Sequence, residues 1–342
     1  MQNPWGDEQT QYFYELTPDK IFQAFDSIGL RSTGRCSTMF SMENRVYDVE
    51  LQLPDTPKHR WEHHRIVKFY RPGRWSQEQI QEEHDFLNDL CEAEVPVIAP
   101  LALSDNQTLV KDSATELFFT LFPRVGGRTP DEFSLEQIPQ VARFMARMHA
   151  VGSKKTALHR MSITPETYGL NHLDTLLSGR FMPNDLHAEY KATVESICQM
   201  TAPWFEETTF QRIHGDCHKG NILMTPEGAT WLDFDDMLMG PCVQDMWLLI
   251  PGFEKPGIIR DTFLEAYESM FNFDYKSLRL IEPLRALRYI HFSSWIAKRW
   301  DDPVFPATFP HFNERGYWVE QLNDLKEQLH LIEQIAKGPS HL

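Results

Sequence analysis

The sequence predicts an α+β protein of two lobes, an N-terminal lobe built on an antiparallel sheet and a mostly helical C-terminal lobe. Apolar and polar residues alternate over 44–51 and a second strand pattern follows at 65–70, which indicates paired strands. A break rich in Pro and Gly lies at 123–128, and helical spacing dominates beyond it. We therefore predict an N-lobe over 1–122, a hinge over 123–128 and a C-lobe over 129–342.

Local signals predict the elements of the N-lobe. Residues 17–30 begin with Thr and Pro and run apolar at helical spacing to a glycine, which is typical of a helix. Pro72 ends the second strand, and Ser76 is placed to cap a helix with an apolar stripe. Two short strands are predicted near 108–110 and over 117–122.

The C-lobe is expected to be helical apart from one strand-rich segment. Ser134 is predicted to cap a helix that ends at Gly152, and a further helical stretch covers roughly 185–207. A strand–loop–strand segment spans 212–236, and helices fill most of 258–337. The segment 212–236 is thus predicted to carry a loop between two strands.

Composition narrows the class of protein. The chain has 342 residues, 33 Lys plus Arg against 49 Asp plus Glu, and a formal net charge of −16. Such a balance disfavours nucleic acid and anionic membrane surfaces as partners. The N-terminus does not read as a signal peptide, no apolar run suits a transmembrane helix, and the five cysteines are scattered. We expect a cytoplasmic monomer with no disulfide framework.

The most informative residues lie in the strand–loop–strand segment. Asp216 is followed five positions later by Asn221 and seventeen positions later by Asp233. Phosphoryl transfer from ATP needs one carboxylate that orients and deprotonates a hydroxyl, and an amide and a second carboxylate that hold Mg²⁺. We therefore predict Asp216 and Asp233 as catalytic residues, and Asn221 and Asp233 as ligands of Mg²⁺.

The sequence around these residues resembles a known family. Residues 214–221 read HGDCHKGN and residues 231–236 read WLDFDD. This pair resembles the aminoglycoside phosphotransferase and choline kinase-like superfamily, in which HGD replaces the HRD of ordinary protein kinases. The resemblance implies a bilobal protein kinase-like fold. Four further stretches are similar to bacterial Ser/Thr protein kinases of this superfamily, namely SMENRVYDV, VKFYRPGRWSQEQIQEEH, LFPRVGGR and IEPLRALRYIHFSSWIAKRW. They imply a protein Ser/Thr hydroxyl as acceptor and a role in stress tolerance.

The N-lobe supplies candidates for the nucleotide site. Lys68 stands in a strand between apolar neighbours, where a cation would bind the α- and β-phosphates of ATP. A carboxylate on the next helix should orient it, and Glu82 and Glu83 both qualify. The family's E-x-x-x-L-x-x-L spacing selects Glu83, which leaves Glu82 on a solvated helix face. No GxGxxG loop is present, and the resemblance implies that Ser41 is an ATP-site residue instead.

The hinge is expected to bind adenine through its backbone. Pro123 has no N–H and can offer only its carbonyl to the exocyclic amine, whereas the Val125 N–H can donate to a ring nitrogen. Asp245 resembles the buried aspartate with which the family braces the catalytic loop. Arg285 and Arg288 lie in an aromatic-rich helical stretch, as core neighbours or as lining of the acceptor cleft.

Other interpretations of the same residues are weaker. The segment with Asp235 and Asp236 lacks the Gly and Glu of a calcium loop, so these side chains are expected to be solvated or to support the metal ligands. A zinc site with His214, Cys217 and His218 lacks a second ligand pair nearby. A small-molecule kinase for a sugar, choline-like or antibiotic hydroxyl remains an alternative. A non-catalytic scaffold conflicts with the complete set of catalytic residues.

Overall fold

The computed structural model describes residues 13–14, 16–53, 59–103, 106–226 and 228–338. These residues form two compact units, each of which is built from two separate stretches of the chain. The first unit comprises residues up to Arg160 together with His218–Met237, and the second comprises Met161–Cys217 together with Leu238 onward. The units therefore divide the chain at other points than the lobes predicted from sequence, and the predicted hinge at 123–128 stays a prediction.

An antiparallel sheet of five strands forms the centre of the first unit. The strands are β1 (Ser32–Met39), β2 (Arg45–Leu51), β3 (His64–Phe69), β4 (Val110–Lys111) and β5 (Phe118–Pro123), in the spatial order β1-β2-β3-β5-β4. Every pairing in it is antiparallel. The sheet predicted from the alternating patterns is therefore confirmed, with β3 at its centre.

Alternation along β3 decides which side chains enter the core. Val67 and Phe69 are fully buried in an apolar cluster that also contains residues of β2 and β5. Lys68 lies between them in sequence, so its side chain leaves from the opposite face of the sheet. It stands opposite Val46 of β2 and Thr120 of β5. The strand register thus brings one buried lysine to the face away from the cluster.

Helices and a hairpin also belong to the first unit. They include α1 (Pro18–Ser27), α2 (Gln77–Glu92), α3 (Ile138–Gly152) and the hairpin of β7 (Ile222–Thr225) with β8 (Gly228–Trp231). Ser76 caps α2 as predicted, in a capping box whose other member is Gln79. The predicted start of α3 was wrong, because residues 134–137 form a turn and Gln137, not Ser134, precedes the first helical residue.

The second unit is mostly helical, as predicted for the later part of the chain. Its helices are α4 (Asn171–Leu176), α5 (His187–Glu206), α6 (Val243–Leu249), α7 (Ile258–Glu268), α8 (Ile281–Lys298), α9 (Val304–Thr308) and α10 (Arg315–Lys337). A two-stranded ladder joins β6 (Gln211–Ile213) to β9 (Leu238–Gly240). Within the described ranges, no helix is long and apolar enough to cross a membrane.

Candidate catalytic and nucleotide site

Lys68 is the centre of a buried ionic cluster in the first unit. Its Nζ lies 3.4 Å from Glu83 Oε1, 3.4 Å from Asp233 Oδ1 and 3.0 Å from Asp235 Oδ1. Burial alone would lower the pKa of Lys68, but the charges of Asp235 and Glu83 outweigh it and raise that pKa well above its ordinary value. Lys68 is therefore a fixed cation, and the structure brings it together with Glu83 and Asp233 from distant parts of the sequence.

Glu83 and Glu82 have different contacts, and Glu83, which the family's spacing selected, is the one that contacts Lys68. The Glu83 side chain is fully buried, and its Oε2 lies 3.2 Å from the Arg160 guanidinium. Glu82, expected on a solvated helix face, is half-buried and paired with backbone groups. Its carboxylate accepts hydrogen bonds from the backbone N–H groups of Leu158, His159 and Arg160, at 2.5 to 3.0 Å. Glu82 thus fixes the turn that carries Arg160.

Of the two alternatives that the sequence left open for Asp235, a solvated or a supporting side chain, its burial excludes the solvated one. Asp235 is 3% exposed, accepts a hydrogen bond of 3.1 Å from Asn44 Nδ2, and is paired with Arg74. Burial opposes ionisation of Asp235, but the charges of Arg74 and then Lys68 hold its pKa well below the ordinary range. Asp236 pairs with the same guanidinium at 2.5 Å. Sequence spacing gave no sign of Arg74, because its partners lie some 160 residues away.

Asp233 has an unusual backbone for a residue with a side chain. Its φ and ψ are 60° and 66°, in the left-handed region that Asp tolerates better than most residues but that still costs free energy. The side chain is 52% exposed, so the carboxylate is accessible on one side while Lys68 contacts the other. Strain held at an accessible carboxylate is typical of a functional position.

Asn221 is held beside Asp233 through the backbone. The Leu232 N–H donates to the Asn221 carbonyl at 3.1 Å, so the two predicted metal ligands are fixed on neighbouring backbone segments. An amide and a carboxylate oxygen suit Mg²⁺, a hard cation. Within the described ranges, no group of three or more His, Cys, Asp or Glu side chains has a metal-binding arrangement, which gives the zinc alternative no support.

The loop with Ser41 is tied to the same cluster. Ser41 Oγ accepts a hydrogen bond of 3.3 Å from the Asn44 N–H, and Asn44 Nδ2 contacts Asp235. Arg71 stabilises this loop, because its Nε donates a hydrogen bond of 2.9 Å to the Glu43 carbonyl. The structure thus connects Ser41 to the Lys68 cluster through Asn44, a residue that the sequence did not single out.

The segment with Pro123 and Val125 leaves the sheet and joins the hairpin. Pro123 is the last residue of β5 and stands opposite Arg65, whereas Val125 is half-buried beyond the strand. At Gly127 a Cβ atom would lie 2.9 Å from Leu223 Cβ, so only glycine fits this close approach. Contacts of Pro123 and Val125 with adenine stay a prediction.

Asp245 braces the loop before Asp216 in the second unit, as the resemblance implied. It is fully buried, and its two carboxylate oxygens accept hydrogen bonds of 2.9 Å from the backbone N–H groups of His214 and Gly215. The Gln244 amide donates to the Gly215 carbonyl at 3.2 Å. Gly215 has a φ of 84°, which favours glycine at this turn. Two side chains of α6 therefore fix the backbone conformation before Asp216.

Asp216 has a cationic neighbour in Arg288, whose position the sequence left undecided. Arg288 Nη2 of α8 lies 2.9 Å from Asp216 Oδ1, and the two side chains are 38% and 25% exposed. Arg285, one turn earlier, lies 3.2 Å from Glu254 and 3.2 Å from Glu282 instead. The two arginines, which the sequence could not separate, thus have different partners, and only Arg288 contacts the predicted catalytic base.

The lysine–glutamate pair on an antiparallel sheet and the braced Asp216 loop define a kinase-type phosphotransferase. Residues 42–281 match the phosphotransferase enzyme family, and the chain belongs to that family. Stress response kinase A of Escherichia coli (strain K12) is 39% identical over 324 residues, which cover 94% of this chain and 95% of that protein. Serine/threonine protein kinase RdoA of Salmonella typhimurium is 36% identical over 322 residues, which cover 94% of each chain. The resemblance drawn from the sequence motifs is confirmed, and the chain is a kinase.

Solved structures agree on the fold. An amicoumacin kinase in complex with AMP-PNP, Ca²⁺ and amicoumacin has a TM-score of 0.65 at 15% identity, with 86% of this chain and 92% of that chain covered. A microcompartment-associated aminopropanol kinase has a TM-score of 0.64 at 18% identity, with 93% and 98% covered. The predicted α+β kinase-like fold is therefore confirmed.

Proposed function

We propose that this kinase transfers the γ-phosphoryl group of ATP, with Mg²⁺, to Ser/Thr hydroxyls of proteins in a stress response. The observation that carries the ATP-dependent part is the contact of Lys68 with both Glu83 and Asp233 in one buried cluster. A cation held by a helix carboxylate and next to an exposed carboxylate is the arrangement with which kinases bind ATP phosphates. The protein acceptor is supported by the similarity to serine/threonine protein kinase RdoA at 36% identity and the stress response by the similarity to stress response kinase A at 39% identity.

The residues of the first unit would bind and orient the donor. Lys68 would contact the α- and β-phosphates while Glu83 keeps its ammonium in place, and Ser41 would contact phosphate oxygens from the loop. The Val125 N–H and Pro123 carbonyl would pair with the adenine edge. Asn221 and Asp233 would hold Mg²⁺, which when bound neutralises charge that develops on the β- and γ-phosphates.

The residues of the second unit would act on the acceptor. Asp216 would orient the attacking hydroxyl and take its proton as the oxygen forms a bond to the γ-phosphorus. The bond between that phosphorus and the β–γ bridging oxygen breaks, and ADP leaves. The brace from Asp245 would keep Asp216 in a fixed position through this step, which limits the reorganisation that the reaction requires.

The alternative is a small-molecule kinase, which the structural neighbours suggest. These neighbours include an amicoumacin kinase, an aminopropanol kinase, a spectinomycin phosphotransferase and a choline kinase. At identities of 11–18% these similarities concern the fold. The relatives named as stress response kinases are far more similar over nearly the whole chain, so a protein acceptor is the better proposal.

A transfer assay tests the proposed function. The protein is incubated with ATP labelled at the γ-phosphate, Mg²⁺, a general protein substrate, choline and a panel of aminoglycosides. We expect label on Ser/Thr of the protein, and transfer to small molecules alone would contradict the protein acceptor. Asp216→Ala should abolish transfer and retain ATP binding, whereas Asp261→Ala, at an exposed position of α7, should retain both. Turnover that persists in Asp216→Ala would remove Asp216 from its role.

We also propose that the protein is a cytoplasmic monomer. The cysteines Cys36, Cys91, Cys198, Cys217 and Cys242 are all free thiols, which suits a reducing compartment. Size-exclusion chromatography with light scattering should give the mass of one 40.0 kDa chain.

A further inference from the structure

The pairing of Arg288 with Asp216 places a positive charge directly beside the proposed catalytic base. Arg288 Nη2 is 2.9 Å from Asp216 Oδ1, and the arginine side chain is 38% exposed. A guanidinium carries several N–H donors in one plane, and a single contact with a carboxylate uses only part of them. Among the described residues, Asp216 is the one carboxylate within ion-pair distance of Arg288. Donors of Arg288 are therefore accessible where an acceptor hydroxyl would approach Asp216.

Arg285 shows that this exposure is not a general property of α8. It is three residues earlier on the same helix, but Glu254 and Glu282 each lie 3.2 Å from its guanidinium. Two carboxylates compensate its charge, and its side chain is less exposed, at 26%. Arg285 is thus a matched comparison for Arg288, with the same chemistry on the same helix and no contact with Asp216.

We propose that Arg288 is a specificity-determining residue that selects acceptors with an anionic group next to the reacting hydroxyl, such as a Ser or Thr flanked by Asp, Glu or a phosphorylated residue. Arg288 would hold Asp216 with one nitrogen and donate to the anionic group of the acceptor with the others. This inference rests on the proposed function of Asp216 and adds the chemical class of the acceptor.

The net charge of the protein makes the proposed preference unexpected and therefore informative. At −16, the overall field attracts cations, so an acceptor would be expected to be basic if long-range attraction alone decided. A direct contact acts at shorter range and is less screened than the overall field. Acceptors with an ammonium group next to the hydroxyl, such as choline and aminoglycosides, would meet Arg288 and be repelled.

Three peptides of equal length test the proposal, each with one Ser and with acidic, neutral or basic flanking residues. For the wild-type protein, kcat/KM should be about tenfold higher for the acidic than for the basic peptide, because a charge-assisted hydrogen bond contributes at least this factor. Arg288→Gln should remove most of this ratio, and Arg288→Lys should keep part of it. Arg285→Gln should leave it unchanged. The ratio is the readout, because a general loss of activity or stability affects all three peptides equally.

The outcomes separate this inference from the proposed function. Equal labelling of all three peptides by the wild type, or a ratio that survives Arg288→Gln, would overturn the role of Arg288 while leaving a protein kinase. If no peptide is labelled and a small molecule is, the protein acceptor fails instead. The same variants then compare a sugar phosphate with an aminoglycoside, and preference for the aminoglycoside would overturn the inference about Arg288 as well.

Discussion

Arg160 Nη2 lies 3.2 Å from Glu83 Oε2, while Lys68 Nζ lies 3.4 Å from the other oxygen of the same carboxylate. The Arg160 side chain is fully buried, and its Nη1 donates to the Asp235 carbonyl at 2.6 Å. Its Nε donates to the Gln79 carbonyl of α2 at 2.7 Å. One guanidinium therefore connects the helix that carries Glu83 to the backbone that follows Asp233.

Replacement of Arg160 should strongly destabilise the protein. Arg160→Ala leaves the buried Glu83 carboxylate with one partner fewer and removes the guanidinium donors to the Asp235 and Gln79 carbonyls, which costs about 3–5 kcal/mol in the free energy of unfolding. Arg160→Lys keeps the charge but not the planar fork, so we expect an intermediate loss. Urea denaturation measures both. Arg143→Ala, at an exposed position of α3, should change stability by no more than about 0.5 kcal/mol, and an equal effect of the two alanine variants would contradict the role of Arg160.

Glu82 and Glu83 offer a paired test of what each carboxylate does. Glu83→Gln removes the charge that orients Lys68, so kcat/KM for ATP should fall by about 10²-fold, since roughly 3 kcal/mol of charge-assisted interaction is lost. Glu82→Gln weakens the hydrogen bonds to the turn at 158–160, so it should lower the unfolding midpoint more than it lowers kcat/KM. Steady-state kinetics and thermal unfolding of both variants measure these two effects. Similar losses of kcat/KM in the two variants would contradict the claim that Glu83, and not Glu82, orients Lys68.

The sequence predicted those parts of the site that depend on spacing along one segment. The strand period placed Lys68 between core residues, and short intervals along the chain predicted Asp216, Asn221 and Asp233. These predictions follow from spacing along the chain. The family resemblance selected Glu83 over Glu82 and added Ser41 and the brace from Asp245.

The sequence could not predict contacts that depend on tertiary packing. Arg160 and Arg74 lie 75 and 161 residues from Asp235 along the chain, and together with Lys68 they offset the charge of this buried carboxylate. Ser134 carries a helix-cap signal, yet the chain forms a turn there before α3 starts. A lone arginine on a helix, such as Arg288, has no local signal for its partner.

The buried His84 should make stability depend on pH. Its two ring nitrogens lie 2.8 Å from the Tyr70 hydroxyl and 2.8 Å from the Thr108 hydroxyl, and burial lowers its pKa to about 3. In the unfolded chain the pKa is about 6.5. Below pH 6.5 the unfolded state therefore binds a proton that the folded state does not, and stability falls as the pH decreases. The stability is fully present above the unfolded pKa and is lost progressively down to the folded pKa.

Unfolding free energies at pH 7 and pH 4.5 test this. The contribution of His84 should decrease by about 2.7 kcal/mol between pH 6.5 and 4.5, at about 1.4 kcal/mol per unit. His172, whose pKa burial lowers to about 4, adds a similar slope, so His84→Gln should remove roughly half of the dependence. His330→Gln, at an exposed position of α10, should not change it. A slope that is unaffected by His84→Gln would assign the dependence to other groups.

Asp233 should couple nucleotide binding to Mg²⁺. The carboxylate is exposed on one side and held by Lys68 on the other, and its left-handed backbone keeps it in place. In the wild type, raising Mg²⁺ should tighten ATP binding, as measured by calorimetry at several metal concentrations. In Asp233→Ala the same titration should be nearly flat and kcat should fall by about 10²–10³-fold, because charge neutralisation by a bound metal contributes several kcal/mol. Asn221→Ala should retain part of the metal dependence, since one ligand remains, and Asp26→Ala on α1 should retain all of it. Unchanged Mg²⁺ dependence in Asp233→Ala would place the metal on other residues, whereas loss of metal-free ATP binding as well would show that Asp233 acts mainly by holding Lys68.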